Sequence, residues 1–135
     1  MPTGYSGTPL YKKLGITDKT SLLLINAPDN YQSLLDTNEV PRAVKKNEPP
    51  DIVHLFVTKK AEMEKSLINI LPLAKSNPAI SIWVSWYKKS AGIPTDLTED
   101  SIRNFALKNG LVDVKVCAVS EIWSGLKLVV PRSKR

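Results

Sequence analysis

Two apolar segments near the end of the sequence, residues 111–119 and 122–130, are separated only by Ser120 and Glu121. Both have the length and the β-branched composition of strands. Two consecutive strands that pair in parallel need a crossover connection of a dozen residues or more. A link of two residues is too short for such a connection. The two segments are therefore predicted to pair antiparallel, as a hairpin.

The first segment of this hairpin has an alternating pattern. One face is predicted to carry Val112, Val114, Val116 and Ala118, and the other Asp113, Lys115 and Cys117. Such alternation is typical of an edge strand that is covered on one side.

Before the hairpin, strand patterns alternate with helical patterns. Strands are predicted at Ser21–Ile25, Asp51–Val57 and Ile80–Trp86, with a weaker strand at Val40–Val44. Helices are predicted at Pro9–Leu14, Tyr31–Leu35, Lys59–Ala74, where Pro72 should kink or stop the helix, and from the cap Thr98 to Asn109-Gly110. Alternation of this kind indicates an α/β fold with a largely parallel sheet between helical layers.

The hairpin and the parallel part together predict a single-domain, Rossmann-like three-layer sandwich, similar to a shortened methyltransferase sheet. By that analogy the strand order is 2-1-3-4-6-5, in the order of the chain. The predicted organisation is an N-terminal segment with a short helix at 1–19, the Rossmann-like domain at 20–130, and a basic tail at 131–135. A fold analogy carries no functional argument by itself.

Composition limits the protein class. A chain of 135 residues with 42% hydrophobic residues has the size and the core of one domain. A single cysteine, Cys117, argues against a disulfide scaffold. No apolar stretch approaches the ~18 residues of a membrane span, and the start lacks the pattern of a secretory signal. We therefore expect a cytoplasmic protein without a membrane partner.

The charge is basic, with a formal net charge of +6. Much of it comes from four Lys-Lys pairs, at 12–13, 45–46, 59–60 and 88–89. Such a surface attracts nucleic acids and other anions. Arginine is scarce and no aromatic-basic recognition motif is present, so nucleic-acid binding stays an alternative that rests on charge alone.

The turn after the first strand argues against a nucleotide or S-adenosylmethionine site. Such sites place glycines there so that the backbone approaches the ligand. Here the turn is Asn26-Ala27-Pro28-Asp29-Asn30, which has no glycine, and Pro28 also lacks a backbone donor. We therefore expect no cofactor, with S-adenosylmethionine or a nucleotide as the disfavoured alternative.

Ligands of open α/β sheets bind beyond the carboxyl ends of the strands. The polar and aromatic residues predicted to lie there are Asn26, Asp29, Thr58, Lys59, Ser85 and Trp86. Lys59 would supply charge at a helix start, Thr58 and Ser85 hydrogen bonds, and Trp86 a stacking or covering surface.

Neither the single histidine nor the single cysteine is predicted to be catalytic. His54 lies in mid-strand, where a hydrogen-bonded core imidazole is expected, and the flanks of Cys117 indicate an inert thiol. One histidine and one cysteine also cannot provide a usual transition-metal site, so no metal is expected.

Several stretches together resemble one family of bacterial proteins. They are Gly4–Leu10, Lys12–Ile16, Trp83–Trp86, Pro94–Asp100, Leu111–Val119 and Trp123–Lys127. The resemblance covers Gly4 to about Val130 and is to a domain of unknown function, numbered three thousand and fifty-two. It implies a small bacterial Rossmann-like protein with no assigned reaction or catalytic residues.

These observations favour a non-catalytic binding or regulatory module that acts through a protein partner or a small anionic ligand. The alternative is a diverged methyltransferase-like or nucleotide-binding enzyme.

Overall fold

The computed structural model describes residues 8–17, 19–35, 42–43 and 50–134. In this part of the chain the strands are β1 (Ser21–Ile25), β2 (Arg42–Ala43), β3 (Ile52–Phe56), β4 (Ser81–Tyr87), β5 (Val112–Ala118) and β6 (Trp123–Val129). The helices are α1 (Leu10–Leu14), α2 (Tyr31–Leu35), α3 (Lys60–Ser76) and α4 (Glu99–Lys108), with single 3-10 turns at Lys89–Ala91 and Arg132–Lys134.

The strands form one sheet in the order β2-β1-β3-β4-β6-β5. β2, β1, β3 and β4 are parallel, whereas β6 is antiparallel to both of its neighbours, β4 and β5. The α/β class, the strand order and the C-terminal hairpin predicted from the sequence are confirmed. Of the predicted strand Val40–Val44 the structure shows Arg42–Ala43, and the rest lies outside the described residues.

Helices cover both faces of the sheet, so the central strands are buried on both sides. All five residues of β3 are buried. One face, the α3–α4 face, packs residues such as Leu55 and Val84 against Met63, Leu67 and Ile102. On the other, the α1–α2 face, Phe56 and Trp83 pack with residues of α1 and α2. A run of apolar residues without alternation is the pattern that such double burial requires.

Part of the N-terminal segment belongs to this core. Leu10 and Leu14 of α1 are almost fully buried on the α1–α2 face. α1 ends at Gly15, whose φ of 81° is the left-handed conformation that glycine tolerates. The indole nitrogen of Trp83 donates to the carbonyl of Leu14 at 3.3 Å. The described part of segment 1–19 is thus packed on the sheet.

α3 extends past Pro72, so of the two predicted effects of this residue, a kink or a stop, the stop is wrong, and the predicted end at Ala74 is two residues short. The helix continues for one further turn to Ser76 and ends at Asn77, whose amide donates to the carbonyl of Leu73. Proline removes the bond to the carbonyl four residues earlier, here that of Ile68. Ile68 is 48% exposed, so the missing bond lies on a solvent-facing side of the helix.

β5 contains a bulge, which corrects the predicted division of its faces. Its register on β6 shifts between Asp113 and Lys115, so that Val114 is the extra residue. Asp113 is paired opposite Leu128 and lies on the α3–α4 face together with Val116. Val112, Lys115 and Cys117 are on the α1–α2 face, where the Lys115 ammonium lies 5.7 Å from the Trp83 ring centroid.

α4 begins at the predicted cap. The Thr98 hydroxyl accepts from the amide of Ser101, and the Ser101 hydroxyl accepts from the amide of Thr98, which makes a capping box. Further along α4, Arg103 binds three carboxylates, those of Glu99, Asp100 and Asp113. The pair with Asp113 joins α4 to β5.

No helix in the described residues combines the length and apolar character needed to cross a membrane.

Candidate functional site

The residues predicted to bind a ligand all follow or end parallel strands, but they do not share one surface. They are Asn26, Asp29, Thr58, Lys59, Ser85 and Trp86. Asn26, Asp29 and Lys59 are exposed and Thr58 is half-buried. Ser85 and Trp86 are buried on opposite faces of β4, since Ser85 binds His54 on one face and Trp86 packs in the α3–α4 core. These two side chains therefore have different neighbours.

Carboxylates of the chain itself occupy backbone donors at the start of α3. The amide of Lys60 donates to Oδ1 of Asp96 at 2.7 Å, and the amide of Thr58 donates to Oε1 of Glu62 at 2.9 Å. The hydroxyl of Thr95 donates to the carbonyl of Thr58 at 2.6 Å. Free amides at a helix N-terminus attract anions. Here Asp96 and Glu62 already provide the negative charge near Lys59.

A groove of about 980 Å³ lies at the carboxyl end of β4, and we call it the β4 groove. Trp86, Tyr87 and Leu97 line it, and Leu97 is only 4% exposed. The segment between β4 and α4, residues 88–98, provides one wall, and the start of α4 and Ser124 of β6 contribute to the rest. The hydrogen bonds of Thr95 and Asp96 to the start of α3 hold that wall in place.

The β4 groove has charges of both signs at its borders. Lys88 and Lys89 follow β4, and Glu99 and Asp100 begin α4. The two carboxylates are bound by Arg103, whereas Lys89 is exposed. Arg103 offsets part of the charge of these carboxylates, and the lysine side of the groove is the side that would attract an anion.

His54 lies at the centre of a buried hydrogen-bonded chain. Its Nδ1 is 2.8 Å from the Tyr31 hydroxyl, and its Nε2 is 2.7 Å from Oγ of Ser85. His54 and Ser85 have no exposed surface, and Tyr31 is 6% exposed. The ring of His54 also stacks on Phe56, with centroids 4.4 Å apart. His54 is thus the hydrogen-bonded core imidazole that its mid-strand position predicts.

Burial keeps the side chains of Tyr31 and His54 neutral. Loss of hydration lowers the pKa of His54 from 6.5 to about 3, and it raises the pKa of Tyr31 well above its ordinary value. A neutral imidazole donates from one nitrogen and accepts at the other, which suits two hydroxyl partners. A serine next to a histidine is a nucleophile–base pair in many hydrolases, but this pair has no path to a substrate in the structure.

A smaller cavity of about 370 Å³ lies between the loop after β1 and the turn between β5 and β6. Pro28, Asn30, Leu34 and Trp123 line it. The backbone at Asn26 has a φ of 57°, a left-handed conformation that asparagine tolerates better than most residues. Neither Asn26 nor Asp29 lines this cavity, although both belong to the same loop.

Cys117 is partly buried on the α1–α2 face. Burial raises the pKa of its thiol, and the nearby charges of Lys13 and Lys115 oppose that effect in part. A thiol that stays protonated is a poor nucleophile. Within the described ranges, no three side chains of the histidine, cysteine, aspartate and glutamate type are placed to hold one metal ion.

Sequence reasoning missed the contacts that connect distant segments. The segment between β4 and α4 is bonded to Thr58 through Thr95 and to Lys60 through Asp96. Those contacts span 36 and 37 residues, and no local pattern signals them.

Comparisons by sequence identify no relatives. No family model matches the chain, and no curated protein matches it. The resemblance to the bacterial family of unknown function therefore has no support from these searches.

Comparisons by structure do find similar folds. A protein of the NADB-Rossmann superfamily from Streptococcus agalactiae has a TM-score of 0.55 at 10% identity, over 95% of this chain and 70% of that one. An uncharacterised protein from Listeria monocytogenes serotype 4b has a TM-score of 0.58 at 8% identity, over 91% and 67%.

A third similar structure is a putative tRNA (m1A22) methyltransferase from Streptococcus pneumoniae in complex with S-adenosyl-L-methionine. Its TM-score is 0.52 at 10% identity, over 88% of this chain and 72% of that one. The chain thus spans about two thirds of the length of these proteins. At such identities the likeness concerns the fold, which is that of Rossmann-like and methyltransferase-like proteins, including uncharacterised bacterial ones.

Proposed function

We propose that this protein is a small Rossmann-like binding or regulatory module without catalytic activity. Its binding surface is the β4 groove, and its ligand is a small anion or an acidic segment of a protein partner. We also propose that the protein is bacterial and cytoplasmic, and that it belongs to the uncharacterised family that its sequence motifs resemble.

The observation that carries the proposal is the contrast between two neighbouring places at the carboxyl end of the sheet. At the start of α3 the amides of Thr58 and Lys60 are bonded to carboxylates of the chain itself. The β4 groove beside it is open, with Trp86, Tyr87 and Leu97 in its lining and with Lys88 and Lys89 at its border. A preformed cavity that combines apolar and aromatic side chains with polar groups is the usual form of a ligand site.

The lysines favour an anion. Lys89 is exposed, while Arg103 binds the carboxylates across the groove and offsets part of their charge. Long-range attraction by a net charge of +6 adds to this local preference.

The alternative is a diverged methyltransferase-like or nucleotide-binding enzyme. The S. pneumoniae protein of similar fold binds S-adenosyl-L-methionine. In this chain the turn after β1 has no glycine and includes Pro28, which weighs against the same mode of binding. The buried position of Ser85 and His54 also supports the non-catalytic function.

A thermal-shift screen tests the proposal. The probes are S-adenosylmethionine, S-adenosylhomocysteine, ATP, GTP and inorganic phosphate, each at millimolar concentration. A ligand at a hundred times its Kd stabilises the folded protein by about 2.7 kcal/mol, which is easily detected. We expect no shift with S-adenosylmethionine, and a clear shift with it would contradict the proposal.

The groove itself is tested by charge reversal. Lys89→Glu should abolish binding of any anion that the screen finds. When the variant is immobilised, it should also fail to bind a protein partner that the immobilised wild type binds. Lys65→Glu, at an exposed position of α3 outside the groove, is the matched control. Equal loss in both variants would mean that general charge, and not the groove, binds the anion.

The third function, nucleic-acid binding, has a separate signature. Affinity for a labelled oligonucleotide should then fall steeply between 50 and 200 mM salt, by ~10³ or more if six phosphates are contacted. Tight binding with that slope would replace the present proposal.

A further inference from the structure

We propose that residues 88–98, which we call the strap, form a gate at one wall of the β4 groove, which Thr95 and Asp96 hold in place. This inference concerns the regulation of that groove and so rests on the proposed function. The strap is fixed at both of its ends, and it has few attachments to the rest of the protein between them.

The two ends of the strap are fixed. At the first end the amide of Lys88 donates to the carbonyl of Ile122 at 2.8 Å, beside the sheet. At the other end Leu97 is buried in the α3–α4 core, and Thr98 caps α4. Movement is therefore concentrated in residues 89–96, and the peptide bonds after Lys88 and Lys89 lie at the start of that part.

Residues 89–96 have little to hold them against the body of the protein. None of their side chains is buried, and four of the residues that carry one are exposed: Lys89, Ser90, Pro94 and Asp96. The 3-10 turn Lys89–Ala91 is bonded within itself and ends at Gly92, whose φ of 70° is left-handed. Segments with few buried apolar contacts open at the lowest free energy in a protein.

Two hydrogen bonds attach this part of the strap to α3, and we call them the latch. They are the bond from the Thr95 hydroxyl to the carbonyl of Thr58 and the bond from the Lys60 amide to Asp96. The bond of Asp96 is exposed, so water competes for its groups, and that of Thr95 is partly buried. Opening the latch would displace the wall of the groove that Thr95 belongs to, across from Trp86 in the same lining.

The latch gives the strap two states, latched and open. A ligand that contacts both the strap and the rest of the groove lining binds the latched state better and shifts the population toward it.

Limited proteolysis tests the gate without any ligand. Trypsin cleaves after lysine, and Lys88 and Lys89 lie in the strap, whereas Lys65 and Lys75 lie in α3. When opening is fast, the cleavage rate follows the population of the open state. Cleavage at the two places can be compared in the same reaction by mass spectrometry.

Thr95→Val combined with Asp96→Ala removes both bonds of the latch. One neutral hydrogen bond is worth about fivefold in an equilibrium and one to a charged acceptor about tenfold, so cleavage at Lys88 and Lys89 should accelerate about 50-fold. Cleavage in α3 should not change. Asp96→Asn keeps an oxygen acceptor and should be cleaved more slowly than Asp96→Ala.

Asn104→Ala, at an exposed position of α4, is the control variant. An equal cleavage rate at Lys88 and Lys89 in wild type and double variant would overturn the gate. So would equal acceleration at Lys65 and Lys75, because it would show global unfolding. Neither result depends on the ligand screen, so a failure of the proposed function is recognised separately.

Discussion

The buried imidazole of His54 should make the stability of the folded protein sensitive to mild acid. His54 has a pKa of about 3 in the folded protein and 6.5 when it is exposed by unfolding. Below pH 6.5 the unfolded chain therefore binds a proton that the folded protein does not, and the free energy of unfolding falls as the pH falls. The full loss, reached near pH 3, is about 5 kcal/mol at 1.36 kcal/mol per pKa unit.

At pH 5 the loss is already about 2 kcal/mol relative to pH 7.5, and it is nearly the same for any folded-state pKa below about 4. Carboxylates that titrate in the same range contribute as well, so the comparison is with His54→Gln. Glutamine does not titrate there and retains hydrogen-bonding groups for Tyr31 and Ser85. Between pH 7.5 and 5.0, wild type should lose about 2 kcal/mol more than the variant.

Urea unfolding followed by tryptophan fluorescence measures this difference at the two pH values. The chain has one histidine, so an NMR titration of its imidazole is an unambiguous second measurement. Equal pH dependence in wild type and His54→Gln, or an imidazole that titrates near 6.5 in the folded protein, would refute the reasoning. Either result would mean that His54 reaches water in the native state.

Three further substitutions test the packing. Ser85→Ala leaves Nε2 of His54 without its recorded partner and should lower the free energy of unfolding by about 1–3 kcal/mol in urea, whereas Ser124→Ala should change it little. Gly125→Ala would place a Cβ 3.0 Å from Cγ2 of Val119 and 3.3 Å from the Trp83 ring. The free energy of unfolding in urea should therefore fall by about 1–3 kcal/mol. Unchanged stability would contradict the packing around β6. Arg103→Met should lower the melting temperature, and the difference from wild type should shrink in 1 M salt; a salt-independent difference would mean that its packing matters more than its charge.

The sequence allowed the sheet to be predicted because its strongest signals are local. The two-residue link at Ser120-Glu121 requires a hairpin, and the apolar runs of β3 and β4 require burial on both faces. Thr98 followed by acidic residues marks the start of α4 in the same way. Each of these signals depends on neighbours along the chain.

The candidate site was harder to predict because it depends on contacts between distant segments. The mid-strand position of His54 indicated a core imidazole, but its partners Tyr31 and Ser85 follow from strand register and helix placement. The bonds of Thr95 and Asp96 to the start of α3 likewise join segments that the sequence separates widely.

The bulge at Val114 also affects how this protein behaves at high concentration. β5 is at one edge of the described sheet, and an edge strand with exposed valines, here Val114 and Val116, can pair with a strand of another chain. An extra residue twists the strand and interrupts the regular spacing of its outward amides and carbonyls. We therefore expect this edge to be a poor template for strand addition by a second molecule.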